Sequence, residues 1–138
     1  MEYKKSLGQH VLKSPSIAEK IASFLKVDNA GRILEIGPGT GALTGHLLRL
    51  GRSVTVVEKD SRFAQLIKKK FTGGGADLTV INDDFLNVSL AGMAAGDEKF
   101  AVIGNLPYNR SVDILFHLFS MREFITVMVL MFQREVAP

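Results

Sequence analysis

The segment Asn105-Leu106-Pro107-Tyr108 carries the residue types that could hold a flat amino group, and it follows the apolar run 100–103. Asn105 offers a side-chain carbonyl oxygen. Pro107 has no N–H and a fixed φ, so it helps to turn neighbouring backbone carbonyls outward. Two acceptors in one plane, beside the flat ring of Tyr108, suit the exocyclic amine of a nucleobase. The alternative is a strand that ends in a common Asn-x-Pro turn.

A glycine-rich turn follows a short apolar strand in the segment Glu35-Ile36-Gly37-Pro38-Gly39-Thr40-Gly41. Glycines at such a turn let the backbone approach a ligand closely. The spacing Gly37-x-Gly39-x-x-Ala42 also satisfies the Gly/Ala form of the dinucleotide fingerprint. The turn alone therefore leaves two alternatives open, a nicotinamide-dependent oxidoreductase and a methyl-donor site.

Acidic residues follow two further predicted strands. Glu58 comes about 20 residues after the first glycine of the turn, the distance at which an acid at the end of the second strand meets ribose hydroxyls. Asp84 follows the third strand and could accept a hydrogen bond from an adenine amine, with Phe85 beside the ring. The alternative for both acids is ordinary charge in a surface loop.

The alternation of strands and helices predicts an α/β fold with a doubly wound, mostly parallel sheet in a single domain over residues 1–138. We predict strands at 32–36, 53–58, 78–82, 100–103 and 124–132, helices at 41–50, 61–71 and 111–121, and a loose helix or loop at 89–98. A further helix begins at Ser14 or Ser16, with its apolar face at Ile17, Ile21, Phe24 and Leu25. Ligands bind outside the carboxyl ends of such strands, so the glycine turn, both acids and the amine-holding segment converge on one edge. N-methylation uses an amine-holding segment there, whereas nicotinamide chemistry does not.

Composition narrows the class of partner. The net charge of +3 is a mild basic bias that is consistent with an RNA partner, and the absence of cysteine excludes disulfides and thiolate sites. No stretch reaches the roughly 20 apolar residues of a membrane span, and the chain opens without an apolar signal segment, so we expect a cytoplasmic protein without a membrane partner. His10, His46 and His117 lack metal-ligand spacing, and we expect no metal site.

Four segments together resemble the ribosomal RNA adenine dimethyltransferases. They are Leu7-Gly8-Gln9-His10-Val11-Leu12, the glycine turn 35–41, Gly104-Asn105-Leu106-Pro107-Tyr108-Asn109 and Met131-Phe132-Gln133-Arg134-Glu135-Val136-Ala137. The resemblance implies a Rossmann-like methyltransferase sheet, S-adenosyl-L-methionine as the cofactor and N6,N6-dimethylation of adenines in small-subunit rRNA during ribosome biogenesis. The implied catalytic residues are Asn105, Leu106, Pro107 and Tyr108. The implied cofactor-binding residues are Gln9, His10, Leu12, Glu35, Gly37, Gly39, Gly41, Glu58, Lys59, Asp84, Phe85 and Asn105.

The expected reaction is in-line methyl transfer from a sulfonium to adenine N6, without a metal. Asn105 and the Leu106 carbonyl would accept from the target amine, and a stacked Tyr108 would stabilise the developing charge by about 0.5–2 kcal/mol. The resembled family continues past Pro138 with the last strands of the sheet and a small helical domain. We therefore expect this chain to bind the donor, to methylate RNA poorly, and to self-associate through an open sheet edge. A non-catalytic RNA-binding relative of the same fold is a further alternative.

Overall fold

The computed structural model describes residues 14–132 of the chain. Five strands lie at β1 (Arg32–Ile36), β2 (Ser53–Val57), β3 (Leu78–Ile81), β4 (Phe100–Leu106) and β5 (Ile125–Phe132). Helices lie at α1 (Pro15–Ser23), α2 (Thr44–Leu48), α3 (Ser61–Phe71), α4 (Leu90–Met93) and α5 (Ser111–Ser120), and 3₁₀ turns lie at Phe85–Asn87, Tyr108–Arg110 and Arg122–Phe124.

The strands form one parallel sheet in the order β3-β2-β1-β4-β5, which confirms the predicted α/β class. The chain runs outward from β1 to β3 and then returns to place β4 on the other side of β1. The strand order therefore reverses between β1 and β4, the position at which such sheets bind ligands. Ile36, the last residue of β1, pairs in register with Val57, the last residue of β2, and with Gly104, so β1 and β2 end at the same level and β4 continues two residues beyond it.

Two apolar cores cover the two faces of the sheet, because successive strand residues point to opposite sides. Ile33 packs with α1, α2 and α3 on one face, and its neighbour Leu34 packs with α4, α5 and the 85–87 turn on the other. Both residues are fully buried. This arrangement confirms the doubly wound prediction.

Local sequence signals explain the helix boundaries. The Asp60 side chain accepts from the Arg62 amide at 2.9 Å and so caps α3, while three lysines lie in its last turn, where cations favour the helix dipole. The predicted bounds 61–71 are confirmed. Pro15 occupies the first turn of α1, after Ser14 as the N-cap residue.

The structure corrects three local predictions. The predicted apolar residues Ile21 and Leu25 do pack against the core, whereas Ile17 and Phe24 are exposed. The buried positions of α1 are Ala18 and Ala22, so the helix packs through its small residues. Helix α2 begins only at Thr44, since the glycine turn continues through Gly41, whose φ is +84°.

The third correction concerns β4, which continues past residue 103 to Leu106. Its last residues pair with the long strand β5, with Asn105 opposite Met131. Pro107 ends the strand because it has no N–H to donate. A Cβ atom on Gly104 would lie 3.1 Å from Ile36 Cβ, so this glycine lets β4 approach β1 closely. Asn105 is therefore part of a rigid strand rather than of a turn.

Residues 14–132 contain neither a membrane-spanning helix nor a metal-binding cluster. No helix in this part of the chain is long and apolar enough to cross a membrane. No group of His, Asp or Glu side chains among the same residues could hold a metal ion.

Candidate active site

A pocket of about 140 Å³ opens at the carboxyl ends of the central strands. The predicted site residues that line it are Gly37, Glu58, Lys59, Asp84, Phe85 and Pro107. A larger depression of about 670 Å³ lies beside Gly31, Ser53 and Asp77, at the opposite ends of the strands, and contains none of the predicted residues. The structure thus brings together residues from four separate segments where the sheet topology predicts a site.

The glycine turn depends on backbone conformations that other residues rarely adopt. Gly37 has a φ of +67° and Gly39 a φ of +56°. The Gly37 amide donates to the Val57 carbonyl at 2.9 Å, which ties the turn to the end of β2. A Cβ atom on Gly37 would lie 3.5 Å from the backbone oxygen of Asn105, so the turn also lies directly beside the end of β4.

Glu58 is buried and holds the turn from the neighbouring strand. Its Oε1 accepts from the Gly39 amide at 3.0 Å, and its Oε2 accepts from the Asp60 amide at 2.9 Å. The side-chain amide of Asn82 donates to the Glu58 carbonyl at 2.9 Å and fixes the same segment. A carboxylate has about four lone-pair sites, so Glu58 keeps acceptor capacity while it holds the turn, and its contact with ribose hydroxyls stays a prediction.

Glu35 lies in β1 and is buried beneath the turn rather than in the wall of the pocket. Its Oε1 accepts from Thr44 Oγ1 at 2.5 Å, a bond that ties β1 to the start of α2. Burial raises the pKa of Glu35 to about 7, against the lowering effect of the Thr44 hydroxyl and with a further raising contribution from the charge of Glu58. A donor-binding role for Glu35 stays a prediction, and its observed contact is structural.

Asp84 lines the pocket and is held by three groups. Its Oδ1 accepts from the Leu86 amide at 3.0 Å. Its Oδ2 lies 2.7 Å from Arg110 Nη2 and 3.6 Å from Lys59 Nζ. The Leu86 amide, followed by these two cations, lowers the pKa of Asp84, so the carboxylate is ionised and serves as an acceptor at neutral pH.

Phe85 is buried, and its ring meets the His117 ring edge-on at 5.3 Å between centroids. His117 Nε2 also lies 2.7 Å from the Val88 carbonyl oxygen. These contacts give His117 a packing role between α5 and the 85–87 turn. Phe85 is part of the pocket wall, and its predicted place beside an adenine ring stays a prediction.

Asn105 presents the most unusual polar atom of the site. Its Oδ1 is buried, and no hydrogen-bond partner for it is found among residues 14–132. Buried polar atoms in folded proteins nearly always have a partner, so this acceptor is unusual, and its predicted contact with an amine stays a prediction. The Leu106 side chain is buried in the core, while Tyr108 is half exposed on the 108–110 turn.

Sequence reasoning missed Arg110, which lies two residues after the amine-holding segment and forms part of the pocket wall. An arginine close in sequence to a predicted site is weak evidence for a role in that site, because most surface arginines have none. Gln9, His10 and Leu12, the predicted cofactor-binding residues of the N-terminal arm, lie outside the described residues.

The chain matches the family model described as "Ribosomal RNA adenine dimethylase" over residues 1–138. The chain belongs to this family. It is 43% identical over 136 residues to the "Ribosomal RNA small subunit methyltransferase A" of Porphyromonas gingivalis. The match covers 97% of the chain and 51% of that relative. This membership decides between the two alternatives that the glycine turn left open, in favour of the methyl-donor site.

Solved structures agree with the assignment to the rRNA adenine dimethylase family. A dimethyladenosine transferase from Plasmodium falciparum is 35% identical with a TM-score of 0.74, over 91% of the chain and 44% of that protein. The 23S rRNA methyltransferase ErmE is 29% identical with a TM-score of 0.71, over 85% of the chain and 46% of that protein. The shared fold is that of S-adenosylmethionine-dependent methyltransferases. The chain spans about half the length of the curated relatives that it matches.

Proposed function

We propose that this chain is the donor-binding, catalytic part of an enzyme that dimethylates adenine N6 in small-subunit rRNA, with S-adenosyl-L-methionine as the cofactor. The observation that carries the proposal is the buried Oδ1 of Asn105, which has no hydrogen-bond partner among residues 14–132 and lies on the amine-holding segment that ends at the pocket with Pro107. Similarity to the small-subunit methyltransferase of P. gingivalis supports the small-subunit substrate. Similarity to the dimethyladenosine transferase of P. falciparum supports dimethylation of adenine.

The residues of the pocket fit S-adenosylmethionine. The ionised Asp84 is an acceptor for the adenine amine, and buried Glu58 retains lone pairs for the ribose hydroxyls. Among residues 14–132, nothing lies within 4 Å of the position that a Cβ atom on Gly39 would take, so these residues leave room beside the turn for the methionine part. When bound, the cofactor supplies a methyl group on a positively charged sulfur.

The chain's own residues prepare the acceptor amine. Asn105 Oδ1 and the Leu106 carbonyl would accept its two hydrogens, which favours a pyramidal nitrogen with its lone pair directed at the methyl group. Tyr108 stacked on the base would stabilise the positive charge that develops on the nitrogen, by about 0.5–2 kcal/mol. The methylated nitrogen is acidic and loses its proton to water, so the residues need no general base.

Two measurements test this function. Calorimetry of the 138-residue chain should show binding of S-adenosylmethionine and no binding of NAD. In the full-length protein, Asn105→Ala should reduce methyl incorporation into immature small-subunit particles by about 100-fold, the scale seen when one aligned transition-state hydrogen bond is lost. Full activity of Asn105→Ala would refute the amine-holding role. A wild-type protein without activity on any RNA would favour the non-catalytic RNA-binding alternative.

The proposed substrate has consequences for the partners and location of the protein. An rRNA substrate would bring the enzyme to immature small subunits in the cytoplasm. We further propose that the 138-residue chain by itself associates with a second copy through β5. This strand has one neighbour, β4, in the part of the chain that the structure describes, and its Met128 and Phe132 are partly exposed. An open edge with apolar side chains invites pairing with an identical edge.

A further inference from the structure

Arg110 and Asp84 form an ion pair that crosses the site. Arg110 Nη2 lies 2.7 Å from Asp84 Oδ2. Asp84 follows β3 at one edge of the sheet and Arg110 closes the 3₁₀ turn after β4, while β2 and β1 lie between these strands. The pair therefore spans the carboxyl ends of the two strands that carry Glu58 and the glycine turn.

Arg110 is the cation that orients the Asp84 carboxylate. The carboxylate has one oxygen on the Leu86 amide at 3.0 Å and the other on Arg110. Lys59 also lies near, at 3.6 Å, but its side chain is 69% exposed against 34% for Arg110. An exposed, flexible ammonium at that distance is screened by water and salt, whereas the nearer and less exposed guanidinium forms a directional hydrogen bond.

The same arginine is the last residue of the turn that carries Tyr108. The Arg110 amide donates to the Pro107 carbonyl at 3.1 Å, and Ser111 Oγ donates to the Tyr108 carbonyl at 2.9 Å. The turn has three residues, so Tyr108 and the arginine whose side chain reaches Asp84 belong to one short backbone unit.

We propose that Arg110 is a positioning residue that sets two parts of the site at once, the Asp84 carboxylate that recognises the adenine amine of the donor and the turn that carries Tyr108. This inference rests on the proposed function, because the ligand of Asp84 is taken to be the donor. The proposal predicts that Arg110, on the turn that would contact the target base, controls how strongly the donor site prefers a purine with an amino group.

Calorimetry of the 138-residue chain with two ligands tests the first part. The ligands are S-adenosylhomocysteine and its analogue with a purine ring that lacks the exocyclic amine. Wild type should prefer the amine-bearing ligand by at least about tenfold, the lower end of the value of a hydrogen bond to a charged group. Arg110→Ala should weaken the binding of S-adenosylhomocysteine but not that of the analogue, so the preference should fall to about twofold. Arg110→Lys should restore part of the preference, because lysine keeps the charge but lacks the planar guanidinium.

Arg122→Ala is the matched control. It removes the same charge at the other end of α5, where Arg122 lies over the Phe119 ring and donates to the Phe119 carbonyl at 3.1 Å. This variant should leave both affinities and their ratio unchanged. Thermal unfolding of each variant shows whether the chain remains folded.

Fluorine NMR tests the second part. The chain has two tyrosines, so Tyr3→Phe in a chain labelled with 3-fluorotyrosine leaves one resonance, that of Tyr108. This resonance should shift when S-adenosylhomocysteine binds, and in Arg110→Ala it should broaden and lose most of that response at saturating ligand.

Two results would overturn the role of Arg110. One is an unchanged ligand preference in Arg110→Ala, whether both affinities stay the same or both fall equally, since an equal fall means support of the fold alone. The other is an unaltered Tyr108 response. If wild type fails to bind S-adenosylhomocysteine at all, the proposed function fails, and the role of Arg110 fails with it.

Discussion

The Gly39 amide donates to Oε1 of Glu58 at 3.0 Å, so the glycine turn after β1 is held by the acid after β2. The second carboxylate oxygen of Glu58 accepts from the Asp60 amide at 2.9 Å. The ribose-binding acid of the proposed donor site therefore also sets the shape of the loop that would receive the rest of the donor.

Glu58→Ala should weaken S-adenosylmethionine binding by about 1.5–3 kcal/mol or more, because it removes a charged acceptor and also releases the turn. Glu58→Gln separates the two effects. The glutamine oxygen can still accept from Gly39, but its amide N–H₂ then meets the Asp60 N–H, so affinity should fall to an intermediate value. Calorimetry measures both variants, and unchanged affinity in Glu58→Ala would contradict the ribose assignment.

The sequence was sufficient to predict the strand-helix order and the edge of the sheet at which the site lies. Strand β1 and helix α3 have the bounds that the sequence predicted, because their apolar patterns are strong and local. The convergence of Gly37, Glu58 and Asp84 on one pocket followed from the parallel topology.

Long-range contacts explain what sequence reasoning missed. The pairing of Arg110 with Asp84 joins residues that are far apart in sequence, and no local pattern encodes it. Strand β4 extends to Leu106 because β5 is long enough to pair with it, a fact that the residues around Asn105 do not contain. Burial of Ala18 instead of Ile17 depends on how closely α1 approaches its neighbours.

Glu35 should make the stability of the chain fall as the pH rises from about 4.5 to about 7. Burial raises its pKa from 4.5 to about 7, so in this window the folded chain binds more protons than the unfolded chain. The stabilising contribution is therefore fully present below pH 4.5 and is lost by about pH 7, with a size of about 3 kcal/mol.

Glu35→Gln removes this titration while keeping an acceptor for Thr44. Urea unfolding at pH 5 and pH 8 should show that the variant gains stability relative to wild type as the pH rises. Groups shared by the two proteins cancel in this difference. Parallel pH profiles for the two proteins would show that Glu35 does not titrate in the folded state as its burial implies.

Tyr108 should serve the base and not the donor. Its side chain is half exposed on the turn after β4, and it is not among the residues that line the pocket. In the full-length protein Tyr108→Ala should lower methyl transfer, while donor affinity stays within about twofold. Tyr108→Phe keeps the ring and should retain most of the activity. A large loss of donor binding in Tyr108→Ala would refute this division of roles.

The last prediction concerns association of the 138-residue chain. Exposed apolar residues on α5, at Val112, Leu115, Phe116 and Phe119, recur at helical spacing and form one stripe. The edge of β5, which no second strand covers among residues 14–132, adds the exposed side chains of Met128 and Phe132. Burial of such apolar groups against another copy is favourable in water. Light scattering should therefore give a mass above that of one chain, and the mass should rise with concentration.

Phe116→Lys should shift this equilibrium towards the monomer, because it puts a charge at the most exposed position of the stripe, where 72% of the residue is accessible. The change should leave stability within about 0.5 kcal/mol, as is usual for exposed positions. Gln65→Lys adds the same charge to the exposed surface of α3 and should not alter association. A wild-type chain that stays monomeric at all concentrations would show that neither the stripe nor the edge of β5 holds copies together. A Phe116→Lys variant that associates as strongly as wild type would show that the contact is the edge of β5. In that case Met128→Lys, on that strand, should produce the monomer.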